Sequence, residues 1–329
     1  MVDLSMMELH GRRHMSPLSG FCRSPPGPSP TAGNVRTVRL GVHLPSYTVP
    51  GGPPALAGVL RDVGRACDDA GVDVLSLIDH FFGMPFMGPV EEPVLEGYTT
   101  LGFLAASTRE VDLQLLVTGV TYRHPGVLAK IVTTLDVLSG GRATLGIGAG
   151  WYEEEHRGLG IPFPPLRDRF ELLEEALQVL RQMWSDDEGE YAGRHYRLER
   201  TLNSPQPLHR IPVMVGGVGE RKTLRIVARY ADACNFFAGG DSGVDFVAGK
   251  LAVLREHCER EGTSYDAIRK TIAWSPGLDP ARPAEFLEAM EAMAGLGVEE
   301  VHIVPDADDP VGFVRAVGEH VVPRLRDVR

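Results

Sequence analysis

Two adjacent residues, Asp79 and His80, carry side chains suited to moving a proton. They directly follow an apolar run at 73–78 that has the length of a strand. An imidazole with a pKa of about 6.5 gains or loses a proton near neutral pH, and a neighbouring carboxylate can orient it. His80 is therefore a candidate proton donor or acceptor, with Asp79 as its partner. A histidine at such a position can also serve packing alone.

A second candidate is the glycine-rich segment Gly216-Gly217-Val218-Gly219, which precedes a stretch of helical periodicity at 220–231. Free amide N–H groups at the start of a helix favour anions, and the cations Arg221 and Lys222 would add to this attraction. A strand-to-helix turn alone also uses glycine. Because three glycines in four residues exceed what a turn requires, we interpret the segment as a phosphate site.

Other polar or glycine residues stand where predicted strands end: Thr118-Gly119, Gly148-Ala149-Gly150 and Asn235. The run from Gly146 to Trp151 resembles a dinucleotide fingerprint but lacks its last glycine, and the sequence contains no Walker A, H-E-x-x-H or G-x-S-x-G motif. His156, beside three glutamates, could ligate a metal, but a solvated loop residue is the interpretation we favour.

These residues require elements that bring them together. Apolar runs of strand length alternate with helical periodicity, which indicates an α/β protein with a parallel sheet. Eight such units predict a closed (β/α)8 TIM barrel, in which all strand ends converge on one face. An open doubly wound sheet is the alternative. The predicted strands are 37–43, 73–78, 111–118, 142–149, 212–216, 232–237, 270–275 and 299–304, and the predicted helices are 55–70, 97–108, 125–138, 166–184, 220–231, 244–261, 283–295 and 310–327.

Two segments exceed the usual length of a barrel loop. Residues 79–97, after the second strand, are rich in Phe, Met, Pro and Gly and could form a wall or lid. There, Phe81, Phe82, Met84, Phe86 and Met87 would line a substrate or cover the core. Residues 185–211, between the fourth helix and the fifth strand, predict a hairpin-like insertion.

Composition narrows the functional classes. A formal net charge of -11 disfavours nucleic acid and anionic membranes as partners. The sequence has no apolar run long enough to span a membrane or to act as a secretory signal, which predicts a cytoplasmic protein. Residues 1–36, with their Ser-Pro-Pro-Gly-Pro-Ser-Pro run, predict a disordered N-terminal tail, and residues 37–329 the catalytic domain.

Long runs of the chain resemble the luciferase-like superfamily, and in particular its branch of oxidoreductases that depend on the deazaflavin coenzyme F420. The resemblance rests on Ile78-Asp79-His80-Phe81 and on VTGVTYRHPGVLAK at 117–130, LSGGRATLGIGAGWYEEEHRGLGIPF at 138–163, RFELLEEAL at 169–177 and VGGVGERKTLRIVARYADACN at 215–235. It implies a TIM barrel of the luciferase-like type that holds its cofactor at the carboxyl ends of the strands.

The resemblance also implies roles for individual residues. Asp79 and His80 would lie beside the reacting edge of the cofactor ring, and Thr118 would contact the ring, with a non-prolyl cis peptide or bulge near Leu116-Val117. The remaining cofactor contacts would come from Ala149, Gly150, Gly216, Gly217 and Gly219, and the charge argument given above adds Arg221. No metal is expected. Some sugar-phosphate dehydrogenases of this family have a glutamate where this chain has Trp151, so sugar-phosphate oxidation is doubtful.

The resulting hypothesis is hydride transfer between reduced F420 and a small organic substrate, with His80 handling the proton. The alternatives are a monooxygenase that uses reduced FMN and a non-catalytic cofactor-binding protein. A barrel hydrolase or metal enzyme is less consistent with the sequence, because few acids and histidines stand at the strand ends. The resemblance further implies a homodimer.

Overall fold

The computed structural model describes residues 37–239 and 242–328. Within them, parallel strands close into a barrel. The barrel has eight strand positions, because β3 and β4 together occupy one of them. They are β1 (Arg39–Leu44), β2 (Val74–Leu77), β3 (Asp112–Leu115) continued by β4 (Thr118–Gly119), β5 (Ala143–Gly148), β8 (Val213–Gly216), β9 (Ala233–Ala238), β10 (Arg269–Trp274) and β11 (Val298–Ile303). Since β3 pairs with β5 and β11 pairs with β1, the predicted eight-stranded barrel is confirmed and the alternative of an open sheet is wrong. The predicted tail, 1–36, lies outside the described residues.

Helices cover the outside of the barrel. They are α1 (Pro53–Ala70), α2 (Gly97–Ala105), α3 (Pro125–Ser139), α4 (Glu153–Leu159), α5 (Leu166–Met183), α6 (Thr223–Tyr230), α7 (Val244–Glu261), α8 (Ala284–Gly295), α9 (Pro310–His320) and α10 (Val322–Leu325), with a 3₁₀ turn at Tyr265–Ala267. Every predicted helix is present, although α6 begins three residues later than predicted and α2 ends three residues earlier. The helix predicted at 310–327 is divided into α9 and α10. Helix α4 was not predicted, because its seven residues are too few to show a helical period.

Helix α5 shows why an amphipathic pattern in the sequence predicted a helix correctly. Leu173, Leu177 and Leu180 recur at helical spacing and are buried against the barrel, while acidic and basic side chains occupy the opposite face. The strands bury their helix-facing residues equally well, as Leu75, Leu113 and others do. This apolar layer between the helices and the barrel forms the core of the protein.

Both predicted insertions are present. Strands β6 (Tyr191–Ala192) and β7 (Arg197–Leu198) pair antiparallel, which confirms the hairpin between α5 and β8. Residues 78–96, between β2 and α2, contain no helix or strand. The peptide between Leu116 and Val117, where β3 passes into β4, is cis, as the resemblance implied.

Candidate active site

The candidate residues follow strands that are all parallel, so they lie at one end of the barrel. We call this carboxyl end the mouth. His80 follows β2, and the glycine-rich segment follows β8, with β3/β4 and β5 between them. Three strand spacings of about 4.8 Å separate the two by roughly 14 Å along the rim. A ligand that touches both must therefore be elongated.

His80 is held by a glutamate that the sequence analysis did not select. Its Nδ1 lies 2.7 Å from Oε1 of Glu155, whose side chain is 0% exposed. Because a carboxylate only accepts hydrogen bonds, this contact assigns the proton to Nδ1. Nε2 of His80 is then the atom that can take a proton from, or give one to, a ligand in the mouth.

Glu155 accepts further hydrogen bonds that fix its position. The backbone N–H of Phe81 donates to Oε2 at 2.7 Å, and the hydroxyl of Tyr122 donates to Oε1. Burial would raise the pKa of Glu155, but the hydrogen bonds from His80, Phe81 and Tyr122 outweigh it and lower the pKa. Glu155 is therefore an ionised, immobile support for the imidazole at neutral pH.

The helix α4 that carries Glu155 also corrects the interpretation of His156. His156 is buried and not in a solvated loop. Its Nδ1 lies 2.7 Å from the carbonyl oxygen of Tyr152, its Nε2 lies 2.6 Å from the hydroxyl oxygen of Thr121, and its ring stacks on Tyr122. It thus joins α4 to the β4–α3 loop, and nowhere in 37–239 or 242–328 do three metal-ligating side chains cluster.

Asp79 occupies a different environment from His80. It is buried and forms a bidentate ion pair with Arg123, at 2.6 and 2.9 Å. The hydroxyl of Thr118 donates to the same carboxylate at 2.6 Å. Arg123 also contacts Glu96 and lies over the ring of Tyr98. This geometry makes Asp79 and Thr118 supports of the rim, and the proposed contact of Thr118 with a cofactor ring stays a prediction.

The open side of His80 is aromatic. Trp151 contacts its ring edge-on at 5.3 Å, and Phe86 lies 5.9 Å from Trp151. Trp151 is 52% exposed and Phe86 73% exposed, which is unusual for such large apolar side chains. Of the other residues predicted to form a wall, Met87 is exposed, Met84 is buried, and Phe81 and Phe82 are half-buried.

Ala149 and Gly150 continue the rim from β5. Both are half-buried. Gly150 has a φ of 74°, which favours glycine, and its carbonyl accepts a hydrogen bond from Arg169. Their predicted contact with a cofactor ring or its chain is compatible with this position beside Trp151.

The glycine-rich segment turns the chain between β8 and α6. Gly217 adopts a φ of 122°, a value that favours glycine, and turns the chain from β8 toward α6. Gly216 has a structural reason instead, because a Cβ there would lie 3.0 Å from Val117. Gly219 is exposed and precedes α6, and its carbonyl accepts the N–H of Leu224 in the first turn at 3.1 Å.

The cations beside this segment are partly available. The Arg221 side chain is exposed and forms no ion pair with any described residue, while the Lys222 amine lies 5.3 Å from the ring centre of Phe170. Glu220 is neutralised by Lys250, whose amine lies 2.6 Å from it. The segment therefore has an excess of positive charge.

We expect Arg221→Glu to weaken the binding of a phosphate-bearing cofactor by at least about tenfold, because it places a negative charge beside the anion. The measurement is an equilibrium titration of F420 and of FMN. Arg324→Glu is the matched control, since Arg324 is exposed on α10 at the opposite end of the barrel. Equal affinities for the wild type and Arg221→Glu would contradict the assignment.

Polar residues, which the sequence analysis did not select, fill the barrel below the mouth. His302 Nε2 lies 3.0 Å from Oε1 of Glu300, so it donates, and its Nδ1 accepts from Ser76 at 3.3 Å. Ser76 in turn lies 3.0 Å from Nδ1 of His43. His43 stands near the carboxyl end of β1 and is 9% exposed. It forms part of the floor of the mouth.

This environment predicts a pH-dependent stability. Burial and the neighbouring His302 lower the pKa of His43 from 6.5 to about 3. Between these values the unfolded chain binds a proton that the folded chain does not, so stability falls as the pH decreases, by up to about 1.4 kcal/mol per pH unit. We expect His43→Gln to remove this contribution, which denaturant unfolding between about pH 6.5 and 5 measures.

The exposed His320, replaced by glutamine, is the control for this experiment. The wild type and His320→Gln should lose the same stability over the pH range, and His43→Gln should lose about 2 kcal/mol less. Identical pH dependence in all three proteins would mean that the pKa of His43 is the same in the folded and the unfolded chain, and would contradict the lowered pKa.

The fold and the rim residues define the chain as a (β/α)8-barrel protein with one candidate site at the carboxyl ends of its strands. Residues 39–303 match the family described as luciferase-like monooxygenase. The chain belongs to this family and is an enzyme of it.

The relatives of the chain include two kinds of enzyme. An F420-dependent glucose-6-phosphate dehydrogenase from Kineococcus radiotolerans is 30% identical over 264 residues, which cover 80% of this chain and 76% of the relative. A pyrimidine monooxygenase from Allorhizobium ampelinum is 32% identical over 160 residues, covering 47% and 43%. Among solved structures, an F420-dependent secondary alcohol dehydrogenase with an F420-acetone adduct superposes with a TM-score of 0.73 at 16% identity, covering 88% of this chain and 100% of that one.

Proposed function

We propose that this protein is an F420-dependent oxidoreductase that transfers a hydride between the cofactor and a small organic substrate. The observation that carries the proposal is the presence, on one rim, of an imidazole with a fixed tautomer and a cationic glycine-rich segment. Similarity to F420-dependent dehydrogenases over most of the chain supports the choice of cofactor.

The residues present fit such a cofactor. The N–H groups of Val218 and Gly219 and the side chain of Arg221 would hold its phosphate, and Ala149 and Gly150 would lie along the intervening chain and ring. Reduced F420, when bound, supplies a hydride from a ring carbon. The protein's own contribution is to orient the reactants and to exclude water at the mouth.

His80 would handle the proton that accompanies the hydride. With its Nδ1 proton fixed on Glu155, the ring presents Nε2 to the mouth as acceptor or, once protonated, as donor. Asp79 would act only through its neighbours, because Arg123 and Thr118 occupy its carboxylate. We therefore assign His80 as the proton donor or acceptor and Asp79 as a positioning residue.

A second candidate is a monooxygenase that uses reduced FMN, which the pyrimidine monooxygenase relative favours. The same segment would hold the FMN phosphate. The experiment is to titrate the protein under argon with reduced F420 and with reduced FMN, and then to admit oxygen. We expect tighter binding of F420, and no oxygen consumption by its complex. Tighter binding of FMN, with oxygen consumption, would favour the monooxygenase.

We also propose a homodimer. Helices α2 and α3 border an outward-facing groove of about 500 Å³, and Phe103, Val127 and Leu138 on them are exposed. Such an apolar face would suit a second copy of the chain. Leu138→Glu should shift the sedimentation coefficient from that of a dimer to that of a monomer, whereas an unchanged coefficient would place the contact elsewhere.

No helix in the described residues is long and apolar enough to cross a membrane. The cytoplasmic location stays a prediction.

A further inference from the structure

The aromatic side chains beside His80 pack against one another, and two of them, Trp151 and Phe86, are exposed. Trp151 stacks on Tyr152 with ring centres 5.0 Å apart and an angle of 16° between the planes. Phe86 lies at an angle of 37° to Trp151. We call Phe86, Trp151 and Tyr152 the aromatic platform. Because His80 contacts both Trp151 and Tyr152, a molecule lying on the platform is also next to the imidazole.

The platform is held from behind. Tyr152 is buried, and its hydroxyl donates to the carbonyl of Gly83 at 3.1 Å, which ties α4 to the loop after β2. His156, one turn along α4, accepts and donates in the buried contacts described above. Trp151, which is 52% exposed, therefore stacks on an anchored ring, and a ligand that contacts its exposed part loses little of its binding energy to ordering the protein.

The charges around the platform are unfavourable for an anion. Three arginines lie on neighbouring segments. Arg123 is ion-paired with Asp79 and Glu96, and Arg157 with Glu153. Arg169 keeps its charge, but its N–H groups donate to the carbonyls of Gly150 and Pro164. Residues 81–100 contain no lysine or arginine but three glutamates. The exposed Glu153 and Glu154 follow the platform directly.

We propose that the substrate of this enzyme is a neutral, planar, conjugated molecule that stacks on Trp151, with its reacting bond directed toward His80. The mouth is divided by charge, since the cationic segment after β8 favours the anionic cofactor tail and the acidic, aromatic side favours an uncharged partner. This inference rests on the proposed function for its redox step but not for its binding geometry. It separates the substrate class from that of the glucose-6-phosphate dehydrogenases among the relatives.

Two aromatic probes of about equal size that differ in net charge test the proposal. They are 2-acetonaphthone, which is neutral, and 2-naphthoate, which is an anion. Equilibrium dialysis measures their binding to the wild type, Trp151→Ala, Trp151→Phe and the control Leu208→Ala, whose residue is exposed in the segment before β8. We expect 2-acetonaphthone to bind the wild type at least tenfold more tightly than 2-naphthoate. Trp151→Ala should lose at least tenfold in affinity for 2-acetonaphthone, while Trp151→Phe and Leu208→Ala retain it.

Equal binding of the two probes, or unchanged affinity in Trp151→Ala, would overturn the proposal. Trp151 is half exposed, so its replacement should leave the fold intact, and thermal unfolding of the same samples checks this. A parallel titration with F420 separates the two ideas. If 2-acetonaphthone binds as expected but F420 does not bind, the substrate site on the platform is supported and F420 as the cofactor is contradicted. If F420 binds but the two probes bind equally, F420 as the cofactor is supported and the substrate site is contradicted.

Discussion

His80→Ala is expected to bind reduced F420 with the affinity of the wild type and to turn over about 10²- to 10⁴-fold more slowly, the range that a positioned acid or base contributes. The reason is that Glu155 holds Nδ1 of His80, so that the ring presents Nε2 to the mouth beside Trp151. The measurement is the rate at which reduced F420 is converted to oxidised F420 under argon after a conjugated ketone is added.

Binding and turnover must be measured on the same samples. If His80→Ala loses cofactor affinity instead of turnover, His80 is a binding residue and the proton comes from elsewhere. A wild type that binds F420 tightly but reduces no conjugated ketone, aldehyde or alkene would favour the non-catalytic binding protein. Trp184→Phe serves as the control, because Trp184 lies away from the mouth and contacts Thr133 on α3.

Glu155→Gln is expected to have the second largest effect, and on two properties. The carboxylate of Glu155 accepts hydrogen bonds from His80, Phe81 and Tyr122 through two oxygens, whereas an amide has only one acceptor oxygen. At least one of these three donors therefore loses its acceptor, at a cost of about 1–3 kcal/mol in stability. The imidazole also loses the partner that fixes its tautomer. We expect kcat to fall while KM changes little.

Two readouts distinguish positioning from simple destabilisation. Nitrogen-15 NMR of histidine-labelled protein should show the Nδ1–H tautomer of His80 in the wild type and a mixture in Glu155→Gln. Because the folded pKa of Glu155 lies below its ordinary 4.5, its ionised form stabilises the fold above that pH, and the difference in unfolding free energy should shrink as the pH falls. Glu154→Gln, at the adjacent exposed position, is the control, and a similar loss of kcat there would contradict the role of Glu155.

The barrel could be predicted because its signals are local. Apolar runs of strand length alternate with segments of helical periodicity along the chain, and each can be recognised within a window of about fifteen residues. His80 and the glycine-rich segment were found for the same reason, since each directly follows a strand. The hairpin at 191–198 was visible as excess length between α5 and β8.

Glu155 could not be found in this way. Its partners come from the end of β2 and from the loop before α3, and His80 is 75 residues away in the chain. Three successive glutamates at 153–155 looked like a solvated run, yet helix α4 directs only the third into the protein. The pairing of Ser76 with His302 joins residues 226 apart and depends on the closure of the barrel. Contacts of this kind follow from the tertiary fold and leave no periodic signal.

The central claim is that one elongated molecule spans the mouth from the glycine-rich segment to His80. A crystal structure of the protein soaked with F420 under argon tests it most directly. The claim predicts that the cofactor phosphate lies within about 3 Å of the amide nitrogens at 218–219 and that its ring lies against the imidazole of His80. A cofactor bound with its phosphate beside Glu153 and Glu154, or outside the mouth, would contradict it.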